Sequence, residues 1–361
     1  MNYHQRYVHV KVYAKNSART SVLAVLVSLI WFAEHCWLLM VLEGSVHAVF
    51  AQGAGEKPVS AGGSVNPAAT KRCADVLQPY TFTVKKQRLA NGLDIAYVDE
   101  GNRESKNVLV FVHGLASYLP AWDKNISALR SEYRCVALDL PGYGRSSTSS
   151  TISIQFYSTV LAEFLDSLKL PSVTVLGHQF GAQVCMRAAL RFPQKIKRLV
   201  LIAPAGIEQF NEEQCNFIRQ VYTPRYTLLK PNNVVQADYE RGFYNFPKDA
   251  EFMFKDRWSM TEAIDFHEYC ATMAKCVRAS IDEPILKDLR KLAQPTLIVF
   301  GTEDNMIPSA LMHPTMTTQD IAEQAHKAIK NSTLLMIPDC GHFAQFEKPD
   351  IVNAAIRDFV R

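Results

Sequence analysis

From residue 81 onward the chain alternates short apolar runs with longer segments of helical period. Residues 81–89 and 93–98 alternate apolar and polar side chains about Ala90, Asn91 and Gly92, which predicts a hairpin. Residues 108–112 are then apolar without a break and end at His113 and Gly114, the pattern of a strand buried on both faces. The same pattern recurs at 135–140, 173–176, 199–202, 296–300 and 333–337, each run ending in a loop with Gly or Pro. Between them Phe156, Val160, Leu161, Phe164 and Leu165 fall at helical spacing, and residues 349–360 form an amphipathic helix. Strands alternating with helices predict an α/β fold built on a doubly wound, mostly parallel sheet.

The alternation stops after Gly206 and resumes near residue 294. This divides the globular part into a core, 81–206 and 294–361, and an inserted cap at 207–293 that is expected to be helical. The insert is rich in aromatics, Tyr226, Tyr239, Phe243 and Trp258 among them. Most are expected to form the core of a helical layer, and some to line an apolar pocket.

Residues 1–51 follow a different rule. A basic stretch precedes the apolar run 21–33, then come Glu34 and His35, and 36–42 is apolar again. This reads as a signal peptide, with residues 49–51 offering a small-residue cleavage pattern before Gln52, or as a membrane anchor. Either places the globular part outside the cytoplasm, as a periplasmic, secreted or membrane-anchored protein that meets the membrane only through this segment. A true start at Met40 is the alternative. Residues 52–80, opening with a Gly-, Ala-, Pro- and Ser-rich run, read as linker and lead-in.

Composition narrows the function classes. The 361 residues are 48% hydrophobic and 20% charged, which is globular, and half of the net charge of +4 lies in residues 1–51. No basic stripe with interleaved aromatics is present, which argues against nucleic acid. The eight cysteines discriminate little. Cys135 and Cys185 fall on core elements and read as buried apolar fillers, whereas Cys215, Cys270 and Cys276 in the insert are candidates for disulfides in an exported protein. No Cys/His spacing suggests a metal site, and no cofactor is expected.

The chemistry is concentrated at 173–185. A β-branched strand meets Gly177, His178, Gln179, Phe180 and Gly181, after which the chain is helical up to Pro193. The spacing is that of a G-x-S-x-G nucleophile elbow, with glutamine at the apex. Together with His113 and Gly114, residues 139–144, residues 301–304 with Pro308, and Gly341 with His342, this chain resembles the capped α/β-hydrolase family over nearly all of 81–361. The resemblance implies a catalytic site at Gln179, Asp304 and His342, with the N–H groups of Leu115 and Phe180 as an oxyanion hole, and with His113, Gly114 and His178 in its loops. Glu303 is the nearest competitor of Asp304, and His178 reads as a packed neighbour of the elbow. Ser117, Ser146 and Ser147 lie near the loops without the spacing of a replacement nucleophile. The ligand class implied is a small apolar or ester-like molecule. The amide of Gln179 lacks the usual nucleophilic hydroxyl. The resemblance implies a hydrolase of carboxylic esters or related small molecules, and the glutamine leaves three readings: a ligand-binding pseudoenzyme, an enzyme in which His342 and Asp304 work by acid–base chemistry without a covalent step, or deamidation of Gln179 to a carboxylate nucleophile.

Overall fold

The computed structural model describes residues 70–361. The readings of 1–51 as signal or anchor and of 52–69 as linker lie outside the described residues. Among the described residues no helix is long and apolar enough to cross a membrane.

Eight strands form one sheet: β1 Lys85–Arg88, β2 Asp94–Gly101, β3 Val108–Val112, β4 Arg134–Leu138, β5 Val173–His178, β6 Ile196–Ile202, β7 Thr296–Gly301 and β8 Ser332–Ile337. Their order is β1-β2-β4-β3-β5-β6-β7-β8. β1 and β2 pair antiparallel, as do β2 and β4, and every other pair is parallel. The chain leaves β3 for β4 on one side and returns to β5 on the other. This switch of direction opens a crevice at the carboxyl ends of β3 and β5, where ligands bind in sheets of this kind.

The uninterrupted apolar runs are explained by cover on both faces. In β3, Val108, Val110 and Val112 face one layer, with Leu161 and Phe164 of helix Ile154–Ser167 and Val184 of helix Phe180–Arg191. Leu109 and Phe111 face the other, with Trp122, Ile126 and Ile356. Each large side chain so buried contributes roughly 1.5–3 kcal/mol.

Several strand boundaries differ from the sequence reading, and β6 and β4 show two causes. β6 starts at Ile196, three residues before the apolar run: Lys197 and Arg198 leave the hydrophobic pattern, but Ile196 and Arg198 pair with Val173 and Thr174 of β5, with Lys197 at an irregularity between them. β4 ends at Leu138, and Asp139 turns out of the sheet to hold the next loop. Its Oδ1 accepts from Leu119 N at 2.8 Å, and its Oδ2 accepts from Arg145 N at 2.9 Å and Tyr80 Oη at 2.7 Å. Gly144, at φ 53°, lies so close that a Cβ there would sit 2.1 Å from Oδ2.

Burial pushes the Asp139 carboxyl up to about 6, against the pull of the Arg145, Leu119 and Tyr80 bonds. The unfolded carboxyl ionises near its ordinary 3.8. Stability from this group is therefore full below that value and declines as pH rises through about 6. Asp139→Asn removes the titration and turns an NH2 toward a donor, at a cost of about 1–3 kcal/mol. Urea unfolding of both proteins at pH 5 and pH 8 is expected to show a smaller gap at pH 8.

Between β6 and β7 the insert contains the helices Glu212–Val221, Pro224–Leu229, Asn232–Arg241, Glu251–Ser259 and Phe266–Asp282. Val235, Tyr239, Phe243 and Phe254 pack with Ala121, Phe343 and Phe346 of the core. Tyr222 and Tyr244, by contrast, are 41% and 47% exposed. The lead-in is not a free linker over its described part. Arg72 Nε and Cys73 N both donate to Asp265 of the insert, at 2.9 and 2.7 Å, and Leu77 is buried. Cys215, Cys270 and Cys276 are buried and free, so the expected insert disulfides do not form; Cys135 and Cys185 are buried as apolar fillers.

Candidate active site

The elbow is built by close approach. A Cβ on Gly181 would meet His113 O at 2.4 Å and Val112 O at 2.5 Å, and one on Gly177 would meet Ala182 Cα at 2.5 Å. Glycine at both positions lets helix Phe180–Arg191 turn back against β3 and β5. Gln179 joins strand to helix at φ 47°, ψ −110°, a strained conformation for a residue with a side chain. Its backbone is fully engaged: N donates to Ile202 O at 2.9 Å, and O accepts from Ala205 N at 3.1 Å and Ala182 N at 3.1 Å.

The side chain of Gln179 turns toward the end of β3. Its Oε1 accepts from Leu115 N at 2.9 Å and from Phe180 N at 2.7 Å. Two N–H donors on one terminal atom identify that atom as the oxygen. Phe180 opens a helix of twelve residues, so the helix dipole adds positive potential at the same point. These are the two donors expected to form an oxyanion hole, and the carbonyl of the Gln179 amide lies between them. Gly114 supplies the room, since a Cβ there would meet His178 Nδ1 at 2.8 Å and Gln179 Cβ at 3.2 Å.

His342 and Asp304 form a buried pair. His342 Nδ1 lies 2.8 Å from Asp304 Oδ2, with the residues 3% and 6% exposed. Asp304 Oδ1 accepts from Met306 N at 2.8 Å and Ile307 N at 3.0 Å, which fixes the carboxylate before it meets the ring. The pairing holds the proton on Nδ1 and leaves Nε2 as the basic nitrogen. Glu303, the sequence competitor, is exposed and lies beside Thr302. Among the described residues no hydrogen bond joins Gln179 to His342; the two are linked through His178.

The two other histidines at strand ends near this site, His178 and His113, are structural by geometry. His178 Nε2 donates to His342 O at 3.1 Å, and its ring packs 4.8 Å from those of both His342 and Phe343. Burial, then the neighbouring His342, holds it well below the ordinary histidine range. His113 Nδ1 donates to Gly114 O at 2.8 Å, and its Nε2 accepts from Leu140 N at 2.9 Å. Burial lowers it to about 4, so it is neutral and ties the β3 loop to the β4 loop. Ser146 Oγ accepts from Ala96 N, and Ser147 Oγ accepts from Asp94 N, so both tether β2; Ser117 is buried.

Sequence reasoning missed the clamp that holds the histidine loop. Glu347 accepts from Gly341 N at 2.8 Å, Tyr244 N at 3.2 Å and Asn245 N at 2.7 Å, while His342 N donates to Gly242 O at 2.8 Å. These join the loop after β8 to the insert. No local pattern marks Glu347, because two of its three partners lie about a hundred residues away. Among the described residues no group of three His, Cys, Asp or Glu side chains is placed to hold a metal ion.

Comparison with known proteins places this geometry in a family. The chain is 23% identical over 268 residues to an uncharacterized hydrolase of Bacillus subtilis, covering 73% of this chain and 94% of that protein. It is 25% identical over 304 residues to epoxide hydrolase 4 of Mus musculus, covering 75% and 77%. It is 26% identical over 284 residues to 2-hydroxy-6-oxo-2,4-heptadienoate hydrolase of Pseudomonas putida, covering 75% and 94%. Among solved structures, a probable hydrolytic enzyme from Pseudomonas aeruginosa has the same fold with a TM-score of 0.72 at 22% identity, covering 81% of this chain and 99% of that one. The family model of the alpha/beta hydrolase fold matches residues 107–349, from just before β3 to beyond His342, and the chain belongs to that family.

Proposed function

We propose that this protein binds a small apolar or ester-like molecule at the carboxyl ends of β3 and β5 without forming a covalent intermediate. The observation that carries the reading is the carbonyl of Gln179, held by both Leu115 N and Phe180 N. An amide offers no hydroxyl for His342 to deprotonate. Its oxygen also takes the position in which a serine hydrolase of this fold stabilises a developing oxyanion, where one donor is worth about 3 kcal/mol of transition-state stabilisation. An ester carbonyl reaches those donors only by displacing the residue's own amide. The hole is filled from within.

The test uses the unmodified protein. It is expected to take no fluorophosphonate label and to show no burst with p-nitrophenyl butyrate; stoichiometric labelling of any serine in the site would overturn the reading. The intact pair of His342 and Asp304 favours one alternative, in which Nε2 activates water or removes a substrate proton. That alternative replaces the first if the unlabelled protein turns over an ester and His342→Ala abolishes the turnover.

A further inference from the structure

The two outer strands of the sheet are built differently. At one edge β1 is 4 residues long and carries Lys85, Lys86 and Arg88. Charge and short length are usual means of keeping a free edge from pairing with another chain. At the other edge β8 runs over Ser332–Ile337 with no charged residue and no proline. Thr333 is exposed, and Leu334, Leu335 and Met336 are only half-buried. Leu334 and Met336 pack on one face of the sheet and Leu335 on the other, so apolar side chains are incompletely covered on both faces of this edge.

The direction of the β8 backbone groups follows from its pairing with β7. Thr296 N donates to Asn331 O at 2.8 Å, and Thr302 N donates to Ile337 O at 2.9 Å. In a parallel pair alternate residues face the neighbouring strand, so Asn331, Thr333, Leu335 and Ile337 face β7. Ser332, Leu334 and Met336 turn their N–H and C=O groups outward. Among the described residues none of those outward groups has a hydrogen-bond partner. The row ends at Pro338, which has no N–H to offer.

We propose that this edge is the interface between two copies of the chain, joined antiparallel through β8 about a two-fold axis at Leu334. In that register Leu334 faces Leu334 of the second copy, Ser332 faces its Met336, and each outward N–H meets an outward C=O. The pattern is complementary to itself, as a two-fold contact requires. Lys330, just before one strand, comes to the end where Asp339 follows the other, so opposite charges meet at both ends of the pair. His326 Nδ1 lies 2.9 Å from Ser332 Oγ, which places the C-terminal end of helix Thr318–Ala328 at the start of β8. Antiparallel strands therefore bring that end toward the N-terminal end of the same helix in the second copy, a favourable alignment of the two helix dipoles. β6 and β7 separate this edge from β5, so the inference does not depend on what the crevice beside Gln179 binds.

Sedimentation equilibrium of the full chain in non-ionic detergent is expected to give the mass of two copies at micromolar concentration. Leu334→Lys and Leu334→Glu each set like charges against one another on the axis, and each should weaken the dimer at least about tenfold. An equimolar mixture of the two variants should restore it, because lysine then faces glutamate. A monomeric parent, a dimer that both variants leave intact, or a mixture that stays monomeric would each overturn the proposal. Should a charged variant fail to fold by circular dichroism, amide exchange of the parent decides. The N–H groups of Leu334 and Met336 must exchange more slowly in the dimer than after dilution to the monomer, and equal rates would overturn the proposal. Slow exchange at Leu334 in a monomeric protein would assign the edge to another segment of this chain, against a second copy.

Discussion

Gln179→Ser is expected to take a fluorophosphonate label and to raise p-nitrophenyl butyrate turnover by about a thousandfold or more over the parent. The change does two things at once. It removes the carbonyl that fills the space between Leu115 N and Phe180 N, and it places a hydroxyl on the turn beside the loop that carries His342. The elbow itself needs no rebuilding, since its strain lies in the backbone at φ 47° and Gly177 and Gly181 already allow the approach of strand and helix. Two controls separate the contributions. Gln179→Ala empties the hole without adding a nucleophile and should remain unlabelled, and His342→Ala in the serine background should lose most of the gained turnover. A correctly folded Gln179→Ser that stays inert would mean that the surroundings of the elbow no longer support acyl transfer, and would favour a role in binding alone.

Gly181→Ala is expected to destabilise the protein by about 3 kcal/mol or more, read as a lower urea midpoint at unchanged slope. The added methyl group would meet two backbone carbonyl oxygens, His113 O and Val112 O, at 2.4 and 2.5 Å. Neither is the end of a flexible side chain, so the helix must move away from β3. That shift also carries Phe180 N away from the end of β3. In the Gln179→Ser background the same substitution should therefore reduce ester turnover as well as stability. A midpoint within about 0.5 kcal/mol of the parent would show that the strand and helix accommodate the methyl, against the packing described here.

Three histidines at strand ends illustrate how local patterns and spatial partners divide the explanation. His113, His178 and His342 follow similar apolar runs, and each has a glycine beside it. Only His342 faces a carboxylate. His113 is held neutral between Gly114 O and Leu140 N, and His178 is bonded to the backbone of His342. The distinction between Asp304 and Glu303 is similar: adjacent acids on one loop, of which only Asp304 is turned inward, where two backbone N–H groups receive it. The insert aromatics show the converse. Their abundance suggested packing in general, yet only contacts with Ala121, Phe343 and Phe346 decide that Tyr239, Phe243 and Phe254 bury while Tyr222 and Tyr244 stay exposed.

What the sequence alone determined was the sheet, the order of its loops and the position of Gln179 at the elbow. Strand burial on two faces demands continuous apolar runs, and a sharp strand-to-helix turn demands small residues at fixed offsets, so both leave marks within a few neighbouring positions. Only the tertiary structure decided where the amide of Gln179 points. Its carbonyl is aimed by Leu115 N, which lies sixty-four positions earlier in the chain. The Glu347 clamp was equally out of reach of local reading. Two of its partners, Tyr244 N and Asn245 N, come from a segment brought close by the fold, and a hydrogen bond between distant residues imposes no period on the chain.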